Sequence, residues 1–285
     1  MLGVLELNKA CLYAVLSLCT FTNFCTMNSA VIPETNCGEI QSSTEKSSLK
    51  KQEREIMIKS YSYDTKIIED NIRTFKKKAS QNNEQKVAFL TFDDGPSITN
   101  TPKILDVLNS YNVKATFFII GSQLDNEGCR MLLKRIYNEG HAIGNHTYCH
   151  NYKYLYPNRY ANASHIIQDL TKNEAAMQDV LGEDFHCSVV RLPGGYASWK
   201  NTKSLNEPFK ECHVNYVDWN VLNGDAEGSN RNKSQLIARF NQTFKEHDTV
   251  VVLMHDTYGK ESTVEALPYI IEKLQSKGYN FGILN

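Results

Sequence analysis

Two carboxylates stand side by side at Asp93-Asp94, at the end of the apolar run Val87-Ala88-Phe89-Leu90 and directly before Gly95-Pro96. Neighbouring strand residues point to opposite faces, but a Gly-Pro turn right after them can aim both acids out of the strand's C-terminal end. A pair so placed repels, so a cation must lie against it or one acid must take a proton. Read alone, Asp-Asp-Gly-Pro is equally well a solvated acidic turn. Its company argues otherwise: His146-x-x-x-His150, Arg191-x-Pro193-Gly194-Gly195, Asp218-Trp219 and Leu253-x-His255-Asp256 follow in order, each at the end of a strand-like run.

If the segment from His146 to His150 is helical, its two imidazoles share a face and can grip one cation. Alone, such a pair is more often two polar loop residues than a ligand set. One carboxylate from Asp93-Asp94 would complete two nitrogens and an oxygen, the donors of a catalytic zinc with an open position. A metal of that kind acidifies a water towards neutrality, and the second aspartate is then free to act as general base. Arg191 can keep that aspartate ionised and oriented. Gly194 and Gly195 either leave backbone N–H groups free to approach a developing oxyanion or simply make a tight turn.

His255 ends the apolar run from Val250 to Met254, which places it at the end of a buried strand. An acid beside it, with Asp218 the candidate, would raise its pKa and hold a proton ready for a leaving amine. Trp219 and Leu253 offer apolar walls for a small group such as a methyl, although a core position suits either as well. Asp225 and Asp256 read as loop caps or supporting groups, and His141, with no spaced partner, as structural.

The elements that must position these residues alternate. Strand patterns at 87–91, 114–120, 141–145, 187–192, 215–219, 249–254 and 281–284 are interleaved with helical patterns at 101–111, 126–140, 164–181, 233–247 and 262–278. Such alternation implies parallel pairing and a sheet covered by helices. The number of units suits a distorted (β/α)7-type barrel of the α/β class, whose active site gathers at the C-terminal strand ends.

Upstream of this domain, at 87–285, the texture differs. Residues 1–30 carry Lys9, the apolar run Ala10 to Phe21 and a small-residue end near Ala30, the layout of a signal peptide or N-terminal membrane anchor. A short buried helix is the competing reading, because Glu6 also precedes the run and the cut site is poor. Residues 31–86 are rich in Ser, Lys, Glu, Gln and Asn, and Ile56, Ile58, Ile67, Ile68 and Ile72 are too sparse for a core of their own, so this stretch reads as a polar, partly helical spacer. The expected location is therefore exported, either anchored at the cell surface or secreted. A net charge of -1 gives no electrostatic case for nucleic acid. The 8 cysteines include no Cys-x-x-Cys, so a zinc knuckle is unsupported, and Cys129, Cys149, Cys187 and Cys212 read as small buried residues rather than a disulfide framework.

From Val87 to Asn285 the chain resembles the NodB-type polysaccharide deacetylases of carbohydrate esterase family 4. The resemblance rests on Thr91-Phe92-Asp93-Asp94-Gly95-Pro96, His146-x-x-x-His150, Arg191-x-Pro193, Asp218-Trp219 and Leu253-x-His255 occurring together. It implies a divalent metal, usually zinc with cobalt, nickel or manganese as alternatives, held by Asp94, His146 and His150. It also implies Asp93 as base, Arg191 as its orienting partner, His255 as acid and Asp218 as the residue that tunes His255. Where the family often carries an aromatic residue after the proline, this chain has Gly194, so a wall for the sugar is expected to be missing. The implied reaction is removal of N-acetyl groups from N-acetylglucosamine units of an extracellular polysaccharide. Peptidoglycan comes first, then chitin-type oligomers or poly-N-acetylglucosamine, then acetylxylan. The rivals are a non-catalytic glycan-binding barrel, which would lack a ligand or the base, and a two-metal phosphoesterase, which would need further His or Asp ligands.

Overall fold

The structure, a computed structural model, describes residues 52, 54–56, 58–74 and 86–285. The leader or anchor read at residues 1–30 lies outside the described residues, as does 31–51 of the spacer. No helix among the described residues is long and apolar enough to cross a membrane.

The described chain begins with β1 (Ser62–Tyr63) and α1 (Thr65–Thr74), followed by β2 (Val87–Gly95), α2 (Thr101–Ser110), β3 (Thr116–Ile119), α3 (Glu127–Asn138) and β4 (Ala142–Asn145). A short α4 (Tyr152–Leu155) and the long α5 (Ala163–Leu181) lead to β5 (Val189–Val190), α6 (Asn206–Glu211), β6 (Asn215–Tyr216) and β7 (Val221–Leu222). The chain closes with α7 (Lys233–Thr243), β8 (Thr249–His255), α8 (Glu261–Ser276) and β9 (Asn280–Leu284). Helix starts follow local chemistry: the Asn126 side chain accepts the Cys129 N–H at the head of α3, and Asn232 with Gln235 forms a reciprocal capping box at the head of α7.

All pairings are parallel. β2 is the central strand, with β8 on one edge and β3 and β9 sharing the other, and the sheet runs on from β3 through β4 and β5 to β6. The register sets Asp93 level with His255 on β8 and Phe118 on β3. β7 extends the far side through β8 and does not pair with β6, so the curled sheet is a barrel with an open seam. Helix α1 packs against both β6 and β8, across that seam.

Strand alternation divides the core. Ala88, Leu90, Phe92, Phe117, Ile119, Val250, Val252 and Met254 face outwards into the large cluster beneath α2 and α8. Val87, Phe89, Phe118, Val189, Val217, Val251 and Leu284 face inwards and meet Ile68 and Ile72 of α1. Each such buried side chain contributes on the order of 1.5–3 kcal/mol. Continuing the same alternation towards the strand ends puts Thr91 and Asp93 above Phe89, Arg191 above Val189, and Leu253 and His255 above Val251. The inner cluster is thus a hydrophobic floor, and the polar residues are its mouth.

Two expectations change here. Residues 62–74, read as spacer, belong to the barrel: β1 pairs with β9, and Ile68 and Ile72 are buried. Sparse isoleucines four apart suffice because the sheet already supplies the opposite wall. Among the cysteines, Cys129 and Cys187 are buried as expected, whereas Cys149 and Cys212 are exposed, and all four are free thiols.

Candidate active site

The turn after β2 is held from below by Asp256. Its backbone N–H donates to Asp93 O at 3.2 Å, and its carbonyl accepts from Ser97 Oγ at 2.6 Å. Its carboxyl, bonded to Thr101 Oγ1 at 2.5 Å, leaves no room above it: a Cβ on Gly95 would lie 2.2 Å from the carboxyl oxygens. Burial pushes Asp256 up to about 7. Asp94 adopts a left-handed backbone conformation, φ 69°, and this aims its carboxylate into the mouth beside that of Asp93 rather than away from it.

The segment from His146 to His150 is not helical. Thr147 and His150 have φ of 68° and 48°, so a turn rather than a helical face brings the imidazoles together, with ring centroids 5.0 Å apart. Buried polar groups on β4 and α5 shape that turn. Asp169 Oδ2 accepts the N–H groups of Tyr148 and Cys149 at 2.8 and 3.0 Å, and Asn173 Nδ2 donates to Thr147 O at 3.0 Å and Ile119 O at 2.7 Å. Asn145 Oδ1 accepts the Thr147 N–H at 3.0 Å. None of these three residues is singled out by motif spacing; a polar residue at a helix position that should face the core was the available signal.

Asp94 Oδ1 lies 3.3 Å from His146 Nε2 and 3.2 Å from His150 Nε2, and it is buried with no hydrogen-bond partner. His146 Nδ1 bonds to Arg191 O at 2.7 Å, which directs its Nε2 lone pair at the same point. Among the described residues this is the one cluster of His, Cys, Asp or Glu able to hold an ion. An orphaned carboxylate oxygen between two convergent ring nitrogens is a donor set that a divalent cation such as zinc satisfies, so the residues fit the group.

The electrostatics agree with that fit. Burial alone would raise Asp94, but His146, then His255 and His150, hold it well below the usual carboxylate range. Burial and the neighbouring His146 push His150 down to about 4, leaving its ring neutral. Burial opposes protonation of His146 as well, yet the charges of Asp93 and Asp94 outweigh it and raise the ring. A cation would displace that proton.

Asp93, 3% exposed, is held by Arg191, whose Nη1 donates to Asp93 Oδ1 at 2.9 Å and to Thr91 Oγ1 at 2.6 Å. The guanidinium is fully buried, 4.2 Å above the Phe118 ring. Gly144 permits this stacking, because a Cβ there would meet Phe118 at 2.3 Å. Removing one partner of such a pair leaves an uncompensated buried charge, a cost of about 3–5 kcal/mol.

His255 Nε2 lies 4.0 Å from Asp94 Oδ2, across the mouth from His146 and His150. Its partner is not Asp218. Asp225 Oδ1 accepts from His255 Nδ1 at 2.7 Å, its Oδ2 accepts the His255 backbone N–H at 2.8 Å, and Thr263 Oγ1 donates to it at 2.8 Å. Burial would lower His255, but Asp225 overrides it, with Asp93 and Asp94 adding, and the ring rises to about 9. The Asp218 carboxylate instead accepts the N–H groups of Tyr196 and Ala197 at 2.8 and 3.4 Å. The physical reason is the seam: Asp218 follows β6 on one side, whereas Asp225 follows β7, which is hydrogen-bonded to the strand that carries His255.

The walls also differ from expectation. The Gly195 N–H donates to Leu192 O at 2.8 Å and closes a turn, so it is not free for an oxyanion. Both glycines have positive φ and stand close to tryptophans: a Cβ on Gly194 would meet Trp199 at 3.2 Å, and one on Gly195 would meet Trp219 at 2.8 Å. An aromatic cluster stands beside Gly194. Trp199 lies beside the exposed Gly194, stacks on Tyr156 at 4.0 Å and lies 5.3 Å from Tyr152, whose exposed ring is 5.3 Å from His150. Leu253 is buried at the mouth on the same strand face as His255.

A family profile described as polysaccharide deacetylase matches residues 80–210. The chain is 35% identical over 205 residues to a peptidoglycan-N-acetylglucosamine deacetylase of Bacillus cereus, covering 70% of this chain and 66% of that protein. To a second B. cereus protein of the same name it is 31% identical over 207 residues, covering 70% and 86%. Among solved structures, a Streptococcus mutans CE4 esterase superposes with a TM-score of 0.73 at 35% identity, over 80% of this chain and 94% of that one.

Proposed function

Because the chain belongs to the polysaccharide deacetylase family, we propose that it hydrolyses N-acetyl groups of N-acetylglucosamine units in an extracellular polymer, peptidoglycan before chitin-type oligomers, poly-N-acetylglucosamine or acetylxylan. The observation that carries this reading is the convergence at one mouth of Asp94, His146 and His150 with Asp93 and His255 on either side. Asp94, His146 and His150 would hold a divalent cation, with zinc first for two nitrogens and one oxygen. Bound there, the cation supplies Lewis-acid chemistry, acidifying water and polarising the acetyl carbonyl.

The remaining work falls to the chain's own groups. Asp93, fixed through Oδ1 by Arg191, has Oδ2 turned to the mouth, 3.8 Å from His146 Nε2, and takes the proton of the attacking water. His255, with Nδ1–H committed to Asp225, presents Nε2–H and gives that proton to the sugar nitrogen as the C–N bond breaks, releasing acetate. Asp225, not Asp218, is the tuning acid in this scheme. Leu253 and Trp219 border the space for the acetyl methyl, and Tyr152 with Trp199 gives a sugar ring an apolar face. Residues 1–30 would export the protein, as a cleaved leader or a retained anchor.

The test is acetate release by the full chain from peptidoglycan, chitooligomers, poly-N-acetylglucosamine and acetylxylan, with and without chelator. Release from peptidoglycan that chelator abolishes and zinc restores is the expected result. Chelator-insensitive release removes the cation reading, and preference for acetylxylan moves the substrate from amide to ester.

A further inference from the structure

We propose that Glu69, on a helix upstream of the family-matched segment 80–210, is a positioning residue for Asp93. The inference rests on the reading of Asp93 as the base.

Glu69 is only 4% exposed. One carboxylate oxygen pairs with Arg73, and the other, Oε2, accepts the Asp218 N–H at 2.8 Å. That N–H belongs to the same peptide group as Val217 O, which accepts from Arg191 Nε at 3.1 Å. Arg191 Nη2 donates to the next carbonyl, Asp218 O, at 3.0 Å, and Nη1 reaches Asp93 Oδ1 at 2.9 Å. A single peptide unit therefore stands between the Glu69 anion and the guanidinium that grips the base. Each bond in such a chain polarises the next, and the effect is larger where water is excluded.

The helix does not need this carboxylate to stay in place. Ile68 and Ile72 already anchor it in the inner cluster, and burying an acid there carries a desolvation cost that an apolar residue would avoid. What the carboxylate adds is direction. The 217–218 peptide lies at the open seam of the barrel, on the side where β6 lacks a strand neighbour in β7. Strand pairing there cannot fix the peptide plane, and Glu69 does. With the plane fixed, Val217 O and Asp218 O hold Nε and Nη2, so Nη1 alone is turned to Thr91 and Asp93. Arg73 reinforces the arrangement by lying over the rings of Tyr196 and Tyr216, 4.9 Å from each.

The experiment compares full-length wild type with Glu69→Ala and Glu69→Gln. Misplacing a reacting group by about 1 Å costs on the order of 10²-fold, so Glu69→Ala should lower kcat roughly 10- to 100-fold, with KM within about 2-fold and bound metal unchanged. The Gln amide oxygen can accept the same N–H, so Glu69→Gln should recover to within about 3-fold of wild type. If the alanine variant does not fold, Glu69→Asp, which retains the charge but is one methylene too short, should show the same kcat loss. Wild-type kcat in the alanine or aspartate variant, or a glutamine variant no better than alanine, overturns the proposal. Should the wild type release no acetate from any polymer, the deacetylase reading fails by itself. The proposal is then decided by the NMR resonance of the Arg191 Nε–H, which must move in Glu69→Ala and return in Glu69→Gln; an unmoved resonance overturns it.

Discussion

Two imidazoles face Asp94 from opposite sides of the mouth, and their surroundings drive them apart. His150 is pushed down to about 4 by burial and by His146, whereas His255, more deeply buried still, stands at about 9 because Asp225 sits 2.7 Å from its Nδ1. His150 thus offers a neutral ring with a lone pair for a cation, and His255 a ring that keeps its proton. Burial alone does not assign a histidine its role: it lowers both rings, and at His255 the carboxylate on the far nitrogen reverses the outcome.

The largest break in that contrast is His146→Ala. With one ligand gone the variant should hold no cation by metal analysis and release no detectable acetate. Next is Asp93→Asn, which removes the proton acceptor and leaves the donors alone: turnover should fall about 10²–10⁴-fold with metal content unchanged. Retained turnover in that variant would remove the base assignment. Asp225→Asn attacks the other side. It should lower the His255 midpoint, draw the alkaline limb of the pH–rate profile down with it, and reduce turnover by about 10- to 100-fold.

A direct measure is an NMR titration of the metal-free protein, in which the His150 ring should titrate near 4 and the His255 ring near 9. The sign for stability follows: because folding raises the His255 pKa above about 6.5, its contribution is fully present below that pH and is lost as pH rises through 9. Melting temperatures of the metal-free protein should fall over the same window. The smallest effect belongs to Asp218→Ala, which should cost about 1–2 kcal/mol through the lost Tyr196 and Ala197 bonds and leave the His255 midpoint where it is. A shift of that midpoint would restore Asp218 to the tuning role.

The residues of the mouth are legible in the sequence wherever a motif coincides with a strand end. Asp93, Arg191 and His255 occupy positions set by period-2 alternation, so reading the strands reads most of the site, and Asp94 joins them through the left-handed backbone before Gly95-Pro96. Asp225 is less legible, because its relevance depends on β7 pairing with β8 across a barrel whose seam no local pattern announces. Asp218 beside Trp219 had the better local signature and the wrong neighbour. His146 and His150 show a similar limit: their spacing is that of one helical turn, but the backbone at Thr147 and His150 is left-handed, held there by Asp169, Asn173 and Asn145 from other elements. Helix α1 hides for a different reason. Its two buried isoleucines amount to a weak signal until the inner face they cover is known.

Strand β1 runs parallel to β9, as every strand here runs parallel to its neighbours, so its far end points towards the catalytic opening and its start towards the opposite pole. Arg54 agrees, bonding to the carbonyl of Tyr137 near the end of α3, just before the chain turns back into β4. The described residues before Ser62 therefore lie towards the closed pole of the molecule. The catalytic opening and the point where the described chain enters the barrel face opposite ways, so a substrate reaches the mouth without crossing the entering segment at 54–56 and 58–61.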